Sequence, residues 1–153
     1  MDTRTNAERC RVRLFEEADR HTLRLIFLTT RRSAFRWMSP DELKISEFDT
    51  ATADELVLVA DTDGQVVGFV SIWQPEDFIH NLFVSPEWQN HGIGTQLLSA
   101  AGTHIGRPAH LKCSIHNERA RAFYEARGWT VASRGGSRAN GYLNMECARP
   151  ATA

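Results

Sequence analysis

The chain has 153 residues, 42% hydrophobic and 24% charged, enough for one globular domain with a real core and too few for two. A formal charge of −1 without a Lys/Arg run gives nucleic acid no electrostatic footprint, and no apolar stretch approaches the ~18 residues of a membrane span. Cys10, Cys113 and Cys147 are odd in number, widely spaced and without C-x-x-C, which indicates neither a disulfide framework nor a zinc site.

Met1-Asp2-Thr3-Arg4 is polar, so a secretory leader is not expected and a cytoplasmic location is. A single domain is expected over 1–153, with flexible ends at 1–8 and 149–153. Val12-Arg13-Leu14 alternates as a short strand, and Asp19 is placed to cap a helix carrying Leu23, Ile26, Phe27 and Thr30. Ser39-Pro40-Asp41-Glu42 has the cap, N1 proline and first-turn acids of a second, short helix. Val- and Ile-rich runs at 55–60 and 65–73 flank Asp61-Thr62-Asp63-Gly64 and predict a hairpin, followed by a strand over 78–84. Ile93, Leu97, Leu98, Ala101 and Ile105 recur at helical spacing until Gly106-Arg107-Pro108, and 110–115 is again strand-like. Asn117 can cap a helix with Arg121 and Glu125 as an i,i+4 pair and Gly128 as its stop, and 129–133 and 142–147 complete a second hairpin around a Gly-rich loop. The order is α/β with a mixed central sheet of six to seven strands and about four helices, because the 92–106 crossover requires 78–84 and 110–115 to run parallel.

Gln89-Asn90-His91-Gly92-Ile93-Gly94 lies between a strand and a helix, where free backbone amides and the positive end of the helix dipole form an anion cradle. Counting from Gly92, the third glycine of a dinucleotide fingerprint would fall at Leu97, and a P-loop would need Gly-Lys-Ser/Thr, so neither common nucleotide motif fits. Q-x-x-G-x-G after Leu82-Phe83-Val84-Ser85-Pro86 instead resembles the acetyl-CoA signature of the GCN5-related N-acetyltransferase (GNAT) superfamily. Asn117-x-x-Ala120-x-x-Phe123-Tyr124, followed by Gly128-Trp129, resembles that family's second signature, in the expected order. The resemblance covers 55–147.

It implies a fold in which strands 78–84 and 110–115 splay apart and admit the pantetheine arm of acetyl-CoA. Leu82, Phe83 and Val84 would line that arm, with the backbone of Leu82 and Val84 bonding its amides. Gln89, Asn90, His91, Gly92, Ile93, Gly94 and Thr95 would hold the pyrophosphate, and Asn117, Phe123 and Tyr124 would close the other side. No metal is implied. The implied activity is acetyl transfer to a primary amine of a small molecule or peptide, by direct attack in a ternary complex, and a homodimer is compatible with it.

An amine must lose a proton, the thioester oxygen gains charge, and the departing thiolate takes a proton. Tyr124 stands at the family position for the acid. Outside the motif it would read as a packing aromatic, while within it Phe123 can fill the core. Many relatives carry a Glu on the strand before the glycine motif, but this strand reads Phe78-Ile79-His80-Asn81-Leu82-Phe83-Val84. Period-two alternation would put Phe78, His80, Leu82 and Val84 on one face, making His80 the candidate base, directly or through water. His91 reads as a solvated or phosphate-contacting residue, and His116 as a turn residue. Phe35, Trp37, Trp73 and Phe78 could line an acceptor pocket, with core packing the default for most of them. A non-catalytic CoA-binding or partner-binding module on the same scaffold is the alternative, and nucleotide binding a third.

Overall fold

The Val- and Ile-rich runs on either side of Asp63-Gly64 pair because that dipeptide turns the chain through positive φ at both positions, +51° and +92°. Asp61 accepts the Gly64 amide at 2.7 Å and locks the turn. In the computed structural model, which describes residues 3–34 and 47–148, this hairpin is β2 (Leu56–Thr62) and β3 (Gln65–Trp73). The other strands are β1 (Cys10–Leu14), β4 (Phe78–Val84), β5 (Ala109–Ser114), β6 (Thr130–Gly135) and β7 (Tyr142–Cys147). They form one seven-stranded sheet ordered β1-β2-β3-β4-β5-β7-β6, antiparallel except for the β4/β5 pair.

Helices cover both faces. The run of Ile93, Leu97 and Ala101 forms the buried stripe of α4 (Ile93–Gly102), packed with Leu58, Val70, Ile79 and Leu111. On the opposite face Leu23, Ile26 and Phe27 of α2 (Arg20–Ala34) and Phe48 of α3 (Glu47–Ala51) surround Phe69. Phe48 meets Phe69 edge-on with centroids 5.3 Å apart. The fifth helix, α5 (Glu118–Glu125), follows β5. The short helix expected at Ser39 and the aromatics Phe35 and Trp37 lie outside the described residues.

One expectation at the N-terminal side changes, and one element is added: residues Asn6–Arg9 form a one-turn helix, α1, because Thr5 and Glu8 make a reciprocal capping box. Gln96 ties it down by donating to the Ala7 carbonyl at 2.6 Å. Asp19 does not cap α2. It ends a 3₁₀ turn, Glu17–Asp19, and its carboxylate accepts from the Glu16 amide and from both terminal nitrogens of Arg13.

Two features of β4 shape the site. Its parallel pairing with β5 is limited to Phe78 with His110 and Ile79 with Leu111, so the strands part before Leu82. Ser85 donates to the Val67 carbonyl beside the Gly68/Val84 pair. Alternation along an antiparallel ladder then turns the amides and carbonyls of Leu82 and Val84 away from β3, into the gap. The second feature is a bulge. Ser71 pairs with Asn81 and Ile72 with Ile79, which leaves His80 as the extra residue. Simple alternation is broken there: Ile79 packs in the α4-side core with Leu82 and Val84 against it, Phe83 packs on the α2 side, and His80 turns toward Glu55, just after α3.

Gly68 allows β3 and β4 to lie this close, since a Cβ there would stand 2.7 Å from the Phe83 carbonyl oxygen. Gly68→Ala should therefore cost about 1–3 kcal/mol of stability, read as a lower urea midpoint. An unchanged midpoint would contradict the tight β3/β4 approach.

Candidate active site

Where β4 and β5 separate, two cavities meet. One, of about 490 Å³, extends from Leu82 and Val84 over the loop before α4 to α5. The other, of about 470 Å³, opens toward α2 and α3 and is lined by His80, Asn81 and Lys112 among others. Leu82, Phe83, Asn117, Ala120 and Tyr124 line both and mark the junction.

The loop before α4 presents free backbone donors. Gly92 stands at φ +81° as the N-cap of α4 with no side-chain cap, and the first intrahelical bond of this turn is Gln96 N–H to Gly92 O. The amides of Ile93, Gly94 and Thr95 thus belong to the unpaired first turn at the positive end of the dipole. Gly94 packs closely, because a Cβ there would sit 3.3 Å from the Phe123 ring. Two arginines flank this start. Arg127 donates to Thr95 Oγ1 at 2.9 Å and to the Phe123 carbonyl at 2.8 Å, its guanidinium 3.8 Å from the Phe123 ring centroid. Arg119 reaches Asn90 Oδ1 at 3.3 Å.

Asn117 caps α5, accepting the Ala120 amide at 3.1 Å through Oδ1, which leaves its Nδ2 as the group able to donate to a ligand. Tyr124 packs edge-on against Phe123 and Trp129, with centroids 5.3 and 5.8 Å away. Burial pushes its phenol well above the ordinary value, with a smaller push from the Cys113 thiol, so the hydroxyl keeps its proton at neutral pH.

Across the junction, His80 Nδ1 lies 2.9 Å from Glu55 Oε2. The imidazole is 45% exposed and the Glu55 side chain 7%, so the carboxylate sits behind the ring, away from solvent. The bond to Glu55 raises the His80 pKa above its ordinary value, against partial desolvation. At the outer wall of the same cavity Arg31 forms an ion pair with Glu47.

Of the residues singled out from sequence, Leu82, Phe83, Val84, Gln89, Asn90, Gly92, Gly94, Thr95, Asn117, Phe123 and Tyr124 all line the loop-side cavity, and His80 lines the other. His91 does not: its exposed ring lies beside Asn6 and Trp88. Ile93 buries its side chain in the core and offers only its amide. Gln89 turns inward, donating to the Val84 carbonyl at 2.9 Å, so its Nε2 braces the strand end. Sequence reasoning missed Glu55, Arg119 and Arg127. The arginines follow two signature residues closely enough to have been flagged, whereas Glu55 comes near His80 only through the fold.

Residues 53–131, just over half of the chain, match the model of the acetyltransferase (GNAT) domain family. The chain belongs to that family. An uncharacterised N-acetyltransferase of Archaeoglobus fulgidus is 36% identical over 94 residues, covering 53% of this chain and 64% of the relative. The uncharacterised N-acetyltransferase YhfO of Bacillus subtilis is 28% identical over 88 residues, covering 50% and 59%. The chain thus spans less than two thirds of either relative. The PaiA N-acetyltransferase of Thermoplasma acidophilum, solved with coenzyme A, superposes with a TM-score of 0.77 at 19% identity over 92% of this chain and 99% of that one, and so shares the fold.

Asn117 links this site to stability. Asn117→Ala should cost about 1 kcal/mol through loss of the cap, measured by chemical denaturation, with Asn117→Asp close to wild type. Equal losses in both variants would show that the cap is not what holds α5.

Proposed function

We propose that the protein is an acetyl-CoA-dependent N-acetyltransferase that passes the acetyl group to a primary amine of a small molecule or peptide, by direct attack in a ternary complex. The observation that carries this reading is the junction itself, where a protonated phenol and a carboxylate-backed imidazole line cavities that meet at the strand gap. The donor groups suit acetyl-CoA: backbone amides and carbonyls in the gap for pantetheine, and an unpaired helix start with Arg119 and Arg127 for phosphates. The PaiA neighbour's bound coenzyme A supports the same choice.

In this reading the amine enters from the α2/α3 side and its nitrogen forms a bond to the thioester carbonyl carbon. The amide of Val84, aimed into the gap, stabilises the oxyanion. The nitrogen's proton passes to His80 Nε2, directly or through a water. As the C–S bond breaks, the sulfur keeps the electron pair and takes the proton of the Tyr124 hydroxyl. His80 then gives up its proton to solvent and Tyr124 regains one, leaving an amide and free thiol.

The competing reading, a CoA-binding or partner-binding module without catalysis, predicts calorimetric binding of acetyl-CoA with no thiol released for any amine. Thiol release across a panel of amines and peptides separates the two. Tyr124→Phe should lower kcat roughly 100-fold while leaving acetyl-CoA affinity near wild type, and an unchanged kcat would remove Tyr124 from the chemistry. Arg127→Gln should do the reverse, weakening acetyl-CoA binding roughly tenfold in a titration. Unaltered affinity would take Arg127 out of the phosphate site.

A further inference from the structure

We propose that Glu55 is the positioning residue of the base: it holds His80 as the Nδ1–H tautomer and so presents an unprotonated Nε2 to the incoming amine. This rests on the acetyl-transfer reading above. The two backbone positions lie on opposite sides of β3, Glu55 just before β2 and His80 on β4. Two inter-strand spacings, roughly 9–10 Å, separate their backbones. They meet because the extra residue of the β4 bulge is His80 itself, turned toward the end of α3. Bulges re-aim side chains in this way.

A carboxylate can only accept, so the 2.9 Å contact requires the hydrogen on Nδ1, and the lone pair of a neutral ring is then at Nε2. The other carboxylate oxygen, Oε1, is buried with no hydrogen-bond partner among the described residues. A purely structural buried carboxylate is ordinarily satisfied at both oxygens, since desolvation of an unpaired one is costly. Among the described residues the one hydrogen bond of the Glu55 side chain is to a ring facing the cavity. The other groups around His80 are the Ala51 carbonyl, which reinforces Glu55, and Lys112 of β5, which opposes it. The Arg31–Glu47 pair lines the same cavity, and His110 lies opposite Phe78.

Two measurements test the proposal. The first needs no substrate: long-range nitrogen–proton correlations on histidine-labelled wild-type protein, above the His80 pKa, should show Nδ1 protonated and Nε2 bare. A dominant Nε2–H tautomer overturns the proposal even if acetyl transfer is confirmed, and an Nδ1–H ring supports it even if the transfer reading fails. The second is the pH profile of kcat/KM. The imidazolium cannot accept a proton, so activity should rise with pH through the raised His80 pKa. Removing the carboxylate removes the upward push, so in Glu55→Gln the acid limb should move to lower pH. The plateau kcat should fall roughly tenfold or more, with the KM for acetyl-CoA unchanged and partial rescue by Glu55→Asp. An acid limb that stays in place with kcat within about twofold of wild type overturns the proposal, as does a loss of thermal stability alone. Should Glu55→Gln fail to fold, the wild-type tautomer decides.

Discussion

Two rungs of parallel pairing, Phe78 with His110 and Ile79 with Leu111, join the halves of the sheet, and the site depends on where they stop. A strand edge that leaves its partner within a covered sheet exposes amides and carbonyls that must find other partners. At Leu82 and Val84 those groups face the gap, and the Gln89 side chain takes the Val84 carbonyl in part. The opening is held from both sides: Gly68 brings β3 against β4, and the Asn117 cap starts α5 at the far edge. A cofactor arm bound there would complete the ladder, so fold and proposed ligand satisfy the same backbone groups.

Around the gap the chemistry divides by position. On the α4 side the glycine loop, the free first turn and two arginines concentrate positive potential, with Arg127 braced by Thr95 and the Phe123 ring. On the α2/α3 side charges are largely matched, Arg31 with Glu47 and His80 with Glu55, so this cavity concentrates less positive potential. Tyr124 stands between, its proton retained by burial. Both shifts are upward but act differently: burial keeps the Tyr124 hydroxyl protonated at neutral pH, whereas the Glu55 carboxylate favours the His80 imidazolium, so that ring becomes a free base only above its raised pKa.

Much of the scaffold could be read from local pattern. The Asp-Gly hairpin, the α4 stripe and the Asn117 cap are short-range signals, and each appears where its physics places it. Thr5 and Glu8, spaced as a capping box, are an equally local signal for α1. The orientation of His80 was not readable, because a bulge is a property of the β3/β4 register and not of β4 alone. For the same reason the contact between His80 and Glu55, 25 residues away in the chain, could not be read beforehand. Arg127, one residue before Gly128, stands close to the second signature, but its contact with Thr95 at the start of α4, beside the Phe123 ring, arises only through the fold.

The central claim is that the β4/β5 gap and the α4 start form one acyl-CoA site. Backbone amide NMR shifts on titration with coenzyme A test it most directly. The account predicts large shifts and added exchange protection at Val84 and at Ile93, Gly94 and Thr95, with β1 and β2 unmoved. Binding that left those amides unperturbed, or that perturbed the α2/α3 cavity alone, would contradict it.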